Sequence, residues 1–451
     1  MKFQNITVDF LKEAISLKDF LTLKEVLKQI EPVDAAELMT KLTVVECIVI
    51  FRLLSKRDKI YIFSYLEKSR QLELIEELPD VIVTGLLNDM EADDRTQLLM
   101  DLPDELRRRI LMRMSPEERN IAWKLLSYPE DSVGRMMTPD FMSIRSNMTA
   151  SQALDYIRWS DELSREFLNY LFVAEDDGTL IGEIGLADLV KADPPTRKVS
   201  SLVTDTPITL QAELESEEAL EMFKKYDRFV MPVVDSDKRM IGIVTADDMF
   251  DVAEDEATED IQQFGGQGAL EHSYFATPLF TMIKKRVGWL ALMFFGMLWS
   301  GEILRFYDDL VAQLSFLIVF LPMVISSGGN SGTQSASLVI RGIALSEMHP
   351  SDWPRVFKRE LVTGVSLGIV IGTLGLLRSY FWDYSLEIGL TVAFTLMGVV
   401  VFGALSGALL PFVFQKARLD PAVVSSPFIT TIVDLSGIII FINIARWISG
   451  L

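Results

Sequence analysis

Five apolar stretches, at roughly 287–307, 311–339, 361–381, 389–414 and 422–448, constrain this chain more than any other feature. Each approaches or exceeds the ~20 residues a helix needs to cross hydrocarbon. The first ~270 residues are charged and mostly acidic, so the net charge of −21 describes neither part of the chain. With the N-terminal part in the cytosol, Lys284, Lys285, Arg286, Arg341, Arg355, Lys358, Arg359, Lys416 and Arg418 lie inside, and only Arg305, Arg378 and Arg446 lie outside. That bias fits the positive-inside rule. An odd number of spans leaves the C-terminus outside. The N-terminus lacks the uncharged apolar core of a signal peptide, so insertion into the cell (inner) membrane is expected to start at the first internal apolar helix.

Composition narrows the partners. Strong acidity argues against nucleic acid, whose phosphates need a Lys/Arg surface, and favours cations. Cys47 is the sole cysteine, so no intrachain disulfide can form, and His272 and His349 are the only histidines. Soft and borderline metals prefer thiolate or imidazole ligands. Neither a nucleophile–base pair nor a Walker loop nor a histidine cluster is present, which argues against an enzyme.

Residues 1–130 read as helices, with apolar residues at three- and four-residue spacing. A 24-residue repeat runs through them. Leu78-Pro79-Asp80 recurs as Leu102-Pro103-Asp104, Met90 as Met114, and Asp93-Asp94-Arg95 as Glu117-Glu118-Arg119. Stacked helical hairpins forming a superhelix are expected. A plain scaffold or interaction domain is the default meaning of such repeats.

Residues 131–250 change texture to short β-rich runs such as Tyr170–Ala174 and Phe229–Val234, alternating with helices. A second repeat, offset by 60, matches Leu180-Ile-Gly-Glu-Ile-Gly-Leu-Ala-Asp188 to Met240-Ile-Gly-Ile-Val-Thr-Ala-Asp-Asp248. This pair of β–α units resembles a tandem CBS domain pair. That likeness implies a pseudo-symmetric module that often dimerises and often binds an adenine nucleotide such as ATP, with a Thr/Asp pair on the ribose. Thr245 and Asp248 fit that pattern. In the first copy Gly185 replaces the hydroxyl residue and leaves Asp188 alone.

Three constellations carry chemistry. In the fifth stretch, Ser426, Thr430 and Asp434 stand four apart and so share one helix face. Asp434 is an ionisable group deep in an apolar segment, costly unless it meets a cavity, a partner or an ion. A carboxyl that only glues helices is the alternative, but no mid-membrane Lys or Arg is there to neutralise it. In the second stretch, Pro322 precedes Ser326-Ser-Gly-Gly-Asn-Ser-Gly-Thr-Gln-Ser335, which offers Asn330 and Gln334 to a pathway. Its glycines are expected to interrupt the helix where it lines a cavity, or else to allow close helix packing. For Gly403 and Gly407 of the fourth stretch, close packing is the expectation. Between the β–α repeat and the membrane, Asp247, Asp248, Asp251, Glu254, Asp255, Glu256, Glu259 and Asp260 have no base among them. On one helix, Asp248, Asp251, Asp255 and Glu259 would align and repel. A solvated acidic linker is the bland alternative.

Oxygen-only candidates and one carboxylate per chain suit hydrated Mg²⁺ better than Ca²⁺, which takes six to eight direct oxygens. Mn²⁺ and Co²⁺ stay open. Over its full length the chain resembles the MgtE family of magnesium channels, on the Gly328–Ser335 motif, on Asp420-Pro-Ala-Val-Val-Ser-Ser-Pro leading to Asp434, and on the acidic run 254–260. The resemblance implies a multidomain membrane protein. Its parts are an all-α superhelical N domain (1–130), an α/β tandem CBS pair (131–250), an acidic connecting, plug-like helix (251–275) and a five-helix transmembrane bundle (276–451). It implies a homodimer with the pore between subunits, Mg²⁺ at Asp434, and closure by cytosolic Mg²⁺ at positions matching Asp94, Glu217, Asp227, Asp248, Asp251, Glu256 and Glu259. Ser426 stands where some relatives carry Asn. The competing classes are a CBS-regulated permease for an osmolyte or another ion, and a membrane-anchored signalling protein.

Overall fold

The computed structural model describes residues 6–160, 171–203, 207–270, 274, 277–313, 315–345 and 347–450, in two compact units, Met1–Asp255 and Glu256–Leu451. His272 and the segment just before 277, expected to complete the connecting helix, lie largely outside the described residues.

The first unit opens with ten helices: α1 (Val8–Ser16), α2 (Phe20–Leu27), α3 (Pro32–Thr40), α4 (Val44–Leu53), α5 (Lys56–Ser64), α6 (Lys68–Glu77), α7 (Asp80–Asp89), α8 (Ala92–Asp101), α9 (Asp104–Leu111) and α10 (Pro116–Leu126). From α3 on they start at residues 32, 44, 56, 68, 80, 92, 104 and 116, a constant step of 12. Each short helix and tight turn reverses the chain, so a helix stacks on the one two places along: α3 on α5, α4 on α6, α5 on α7, α7 on α9 and α8 on α10. The 24-residue sequence repeat is therefore the stacking period. Its turns are chemically specified. Leu78 and Leu102 leave α6 and α8 in extended conformation, and Pro79 and Pro103 occupy the next N-caps, where a missing N–H costs nothing. Thr43 and Glu46 form a capping box on α4. The inward faces share a core that includes Phe51, Phe63, Leu74, Leu87 and Leu99.

A short helix, α11 (Val133–Met136), leads into two similar α/β halves. The first holds β1 (Ser143–Arg145), α12 (Ala150–Trp159), β2 (Leu171–Ala174), β3 (Leu180–Ile184) and α13 (Leu186–Val190). The second holds β4 (Leu210–Gln211), α14 (Ser216–Tyr226), β5 (Val230–Val234), β6 (Met240–Thr245) and α15 (Ala246–Phe264). In each half the first strand pairs parallel to the second, and the second antiparallel to the third. The two hairpins join where Leu180 N–H donates to Lys238 and Met240 N–H donates to Gly178, both at 3.1 Å. Ala92 and Leu125 of the helical repeat insert into the core of the second half beside Leu220, Val244 and Met249. β6 runs directly into α15, one continuous helix that carries the acidic run.

The second unit is helical: α16 (Leu279–Phe306), α17 (Asp308–Gln313), a 3₁₀ turn (Ser315–Phe320), α18 (Leu321–Ala344), α19 (Trp353–Phe381), α20 (Leu386–Lys416) and α21 (Ser426–Ser449). By length and composition four segments can cross a membrane: α16, α19 with its leading turn, α20 and α21. The row of Ser, Gly, Asn and Gln lowers the hydropathy of α18, although 24 residues rise about 36 Å, enough to span. Its register corrects the reading of one span over 311–339. Pro322 falls in the first turn of α18, where its ring is tolerated, and the preceding residues form separate short pieces. Helices α16 and α19 also start about eight residues before their apolar cores, with Lys284, Lys285 and Arg286 and with Arg355, Lys358 and Arg359 in those leading turns and Arg305 and Arg378 in the last turns, where long basic side chains can snorkel.

Candidate functional site

The expected break at 326–335 does not occur. Helix α18 is continuous, and its glycines seat neighbouring helices. A Cβ on Gly403 or Gly407 of α20 would overlap the carbonyls of Gly328 or Gly332. The Ser331 hydroxyl crosses the same seam to the Val400 carbonyl at 3.1 Å. Close packing, the second option raised by the sequence, accounts for Gly328 and Gly332.

Gly329 faces α21. A Cβ there would lie 3.0 Å from Thr430 Cγ2 and 3.7 Å from Asp434 Oδ1. One turn toward the C-terminus of α18, Thr333 Oγ1 and Ser426 Oγ are 3.1 Å apart. Ser426, Thr430 and Asp434 thus lie along α18 in order. The Thr430 hydroxyl donates to the Pro427 carbonyl of its own helix at 2.9 Å, so it enters any pathway only as an acceptor. Asp434 is half-buried, and no Lys or Arg occurs in α21 before Arg446. Beside this contact, Asn330 and Gln334 are exposed on the surface of the chain, one turn apart on α18, with Ser326 and Ser337 continuing the stripe. Sequence reasoning missed Glu360 of α19, which accepts from the buried Ser335 hydroxyl at 2.7 Å. It follows Lys358 and Arg359 in the charged lead-in of α19, so its sequence context did not set it apart.

At the head of this unit, Phe264 packs against the transmembrane core. A Cβ on Gly266, which has φ +74°, would meet Pro427 at 2.9 Å. Burial, then Asp420 and Glu259, push Asp260 up to about 6.

In the first unit the anchor Ala92 fixes where Asp93 and Asp94 lie: against α15. Asp93 is 9% exposed. Burial pushes its carboxyl well above the usual range, and Asp248, Asp94 and Glu91 add to the rise. Burial likewise raises Asp248 to about 7, helped by Asp247 and Asp94 and opposed by two hydrogen bonds from Thr245, whose hydroxyl donates at 2.6 Å. Burial, then Asp255, raise the Asp251 carboxyl as well, and Lys68, which reaches Asp255 at 3.9 Å, offsets that rise only in part. So the structure brings Asp94, Asp248 and Asp251 together and adds Asp93, which the sequence showed only as half of an acidic pair. Glu217 and Asp227 stand at opposite ends of α14, ten residues or about 15 Å apart along its axis, too far to share an ion. Glu256 and Glu259 lie on the later part of α15, in the second unit. At the start of α15 the Asp248 carboxylate accepts from both the N–H and the hydroxyl of Thr245, whereas Gly185 leaves Asp188 without a hydroxyl in the equivalent turn. Among the described residues, no three His, Cys, Asp or Glu side chains form a ready-made metal cage. Mg²⁺, which keeps most of its waters, does not need one.

A bundle of apolar helices bearing an exposed amide stripe and an unneutralised carboxylate, joined in one chain to an acidic α/β module, defines a multi-pass membrane transporter for cations. Comparison with known proteins agrees. Residues 321–444 match a family described as divalent cation transporter, residues 30–131 the MgtE intracellular N domain, and residues 133–194 and 199–255 CBS domains. The chain is 33% identical over 333 residues to the magnesium transporter MgtE of Thermus thermophilus, covering 74% of this chain and 73% of that one. It is 34% identical to the Bacillus subtilis counterpart over 74% and 73%. A crystal structure of the cytosolic domain of the Mg²⁺ channel MgtE in complex with ATP superposes with TM-score 0.51 at 30% identity, over 54% of this chain and 99% of that one. The chain belongs to the MgtE family of divalent cation transporters.

Proposed function

We propose that the protein mediates Mg²⁺ uptake across the cell membrane through a pathway between two copies of the chain, and that cytosolic Mg²⁺ closes it. The observation that carries the pathway is the exposed Asn330–Gln334 stripe beside the half-buried Asp434. In hydrocarbon such groups demand water, an ion or a polar partner. A second copy placed against the stripe supplies one wall, and hydrated Mg²⁺ supplies the positive charge. The basic residues of the leading turns of α16 and α19 keep those ends cytosolic, and the C-terminus after α21 then lies outside. The relatives named as magnesium transporters support the choice of ion.

Regulation rests on Asp93, Asp94, Asp247, Asp248 and Asp251. Their mutual repulsion opposes the packing of α8 on α15 until a divalent cation offsets it. The turn at Thr245 is the proposed contact for an adenine nucleotide, as the ATP-bound relative suggests.

The test is Mg²⁺ flux into liposomes holding the purified protein. Asp434→Asn keeps the shape and removes the charge, so flux is expected to fall at least tenfold while the assembly stays intact. Wild-type flux in that variant would remove Asp434 from the pathway.

A further inference from the structure

The cytosolic ends of α18, α19 and α20 meet in a small core of their own. Val339 of α18 and Ala408 and Phe412 of α20 are buried there, with Ile343, Met348 and Val356 packed against them. The turn between α18 and α19 is tight: Met348 N–H donates to the Gly342 carbonyl at 3.0 Å, and a Cβ on Gly342 would meet Met348 Cε at 2.8 Å. Cations ring this corner. Arg341 stands in the last turn of α18, Lys416 in the last turn of α20, and Arg355, Lys358 and Arg359 in the leading turns of α19. Of these, Arg341, Arg355, Lys358 and Arg359 are exposed. Three carboxylates accompany them: Asp352 reaches Arg355 at 3.4 Å, Glu360 accepts from Ser335, and Glu347 is exposed. Among the described residues, Lys358 and Arg359 form no ion pair.

The helix dipole divides these cations into two kinds. Arg341 and Lys416 sit at C-terminal ends, where a cation stabilises its own helix. Those of α19 sit near an N-terminal end, which favours anions, and the first turn of α19 holds no acid. They work against their own helix and call for negative charge from outside the chain. The rest of α19 shows where that charge lies. Its buried residues are Gly364, Gly368, Gly372, Gly375 and Ser379, the side that packs on α20. Arg355, Arg359, Val362, Val370 and Leu377 share the other side by helical spacing, and its three apolar members are exposed. A face that is basic at its cytosolic end and apolar beyond it matches a bilayer surface, with headgroups first and hydrocarbon after them.

We propose that this corner binds an anionic glycerophospholipid of the cytosolic leaflet, with its phosphate on Arg355, Lys358 and Arg359 and its chains along Val362 and Val370. Basic patches at the cytosolic ends of membrane helices recognise such headgroups. A zwitterionic lipid offers the same chains, but its own ammonium group competes for the phosphate. Trp353, 52% exposed at the start of α19, takes the headgroup level that tryptophan favours and so reports on the site. The inference needs the membrane placement of α19 and is independent of which ion the protein carries.

The experiment reconstitutes the full-length protein in phosphatidylcholine vesicles doped with brominated phosphatidylglycerol or, at the same content, brominated phosphatidylcholine. The quenching due to Trp353 is the difference between wild type and Trp353→Phe. The anionic lipid is expected to occupy the site about tenfold more readily than the zwitterionic one, since each cation near an anionic leaflet contributes roughly a factor of five before screening. Arg355→Gln, Lys358→Gln and Arg359→Gln together are expected to bring the two lipids within about twofold of each other. Arg355→Lys with Arg359→Lys, which keeps the charge, should keep the preference. If the triple variant fails to assemble, Lys358→Gln alone decides, with the preference expected to fall about threefold. Equal quenching by both lipids in wild type, or an undiminished preference in an assembled neutralised variant, would overturn the proposal. So would loss of the preference in excess inorganic phosphate but not in chloride of equal ionic strength, which would make the ligand free phosphate rather than a lipid.

Discussion

Gly407 of α20 lies so close to Gly332 of α18 that a methyl group on it would overlap the Gly332 carbonyl. Gly403 stands in the same relation to Gly328 one turn earlier, and the Ser331 hydroxyl closes the seam. In lipid, helices gain little from burying apolar surface against each other, so backbone contact of this kind supplies much of their association. Gly407→Ala is therefore expected to part α18 from α20 and to lower stability by about 1–3 kcal/mol, the usual cost of overpacking. Thermal melting in detergent reads this directly. An unchanged melting temperature would show that the seam has slack.

The Arg95–Glu118 pair makes a second stability prediction. Arg95 is 1% exposed and also bonds the Leu87 and Met90 carbonyls. Arg95→Ala strands Glu118 and two carbonyls, and removing one partner of a buried pair costs about 3–5 kcal/mol. Denaturant unfolding followed by circular dichroism should show the midpoint of the cytosolic region falling accordingly. Glu118→Gln leaves the buried Arg95 guanidinium without its counter-charge, so it too is expected to be clearly destabilising.

Much of this was legible in the residues, and the limits are physical. The 24-residue repeat was visible because Leu-Pro-Asp marks a turn whichever way the helices stack. Its half-period of 12 was hidden, because alternate helices bury different faces and carry different caps. The Gly328–Gly332 stretch looked like a helix break because glycine lowers helix propensity. Contact with Gly403 and Gly407, far away in sequence, reverses that preference. Asp434 stood out because charge in an apolar run is costly wherever it points. Asp93 did not, since its burial depends on Ala92 entering a core built from Leu210 to Met249, far along the chain.

The raised carboxyls at the α8–α15 contact give a pH dependence with a definite sign. Asp248 is pushed up to about 7 and Asp93 is raised well above the usual range, whereas an unfolded Asp titrates near ~3.9. The folded arrangement therefore holds more protons than the unfolded chain. Its electrostatic penalty is absent below the unfolded value, grows as pH rises through the interval, and is complete above the folded value. In EDTA the cytosolic region is expected to melt at a higher temperature at about pH 5.5 than at about pH 8. Saturating Mg²⁺ should flatten that slope, because the ion takes over the work of the protons. A melting temperature that rises with pH in EDTA would show that these carboxylates are not the dominant repulsion.

The acidic helix supplies the last prediction. Asp248 and Asp251 lie on the part of α15 packed near Asp94, while Glu256 and Glu259 lie further along, ahead of Phe264 and Gly266, which contact the transmembrane helices. One helix thus carries both the repelling charges and the attachment to the N-terminus of α21, where Ser426 and Pro427 lead toward Asp434. Cations bound to this run would hold the helix in place, and their removal would free it. A shift of about 3 kcal/mol moves a two-state gate by more than a hundredfold, within reach of several weak sites acting together. Neutralising Asp248, Asp251, Glu256 and Glu259 with Asn and Gln is expected to abolish closure by millimolar Mg²⁺ while leaving flux at low Mg²⁺ within about twofold of wild type. The measurement is liposome flux with Mg²⁺ set independently on each side, beside limited proteolysis near residues 120–140 and 255–270. If the neutralised protein still closes at the wild-type Mg²⁺ concentration, the run is a solvated linker and the closing ion binds elsewhere.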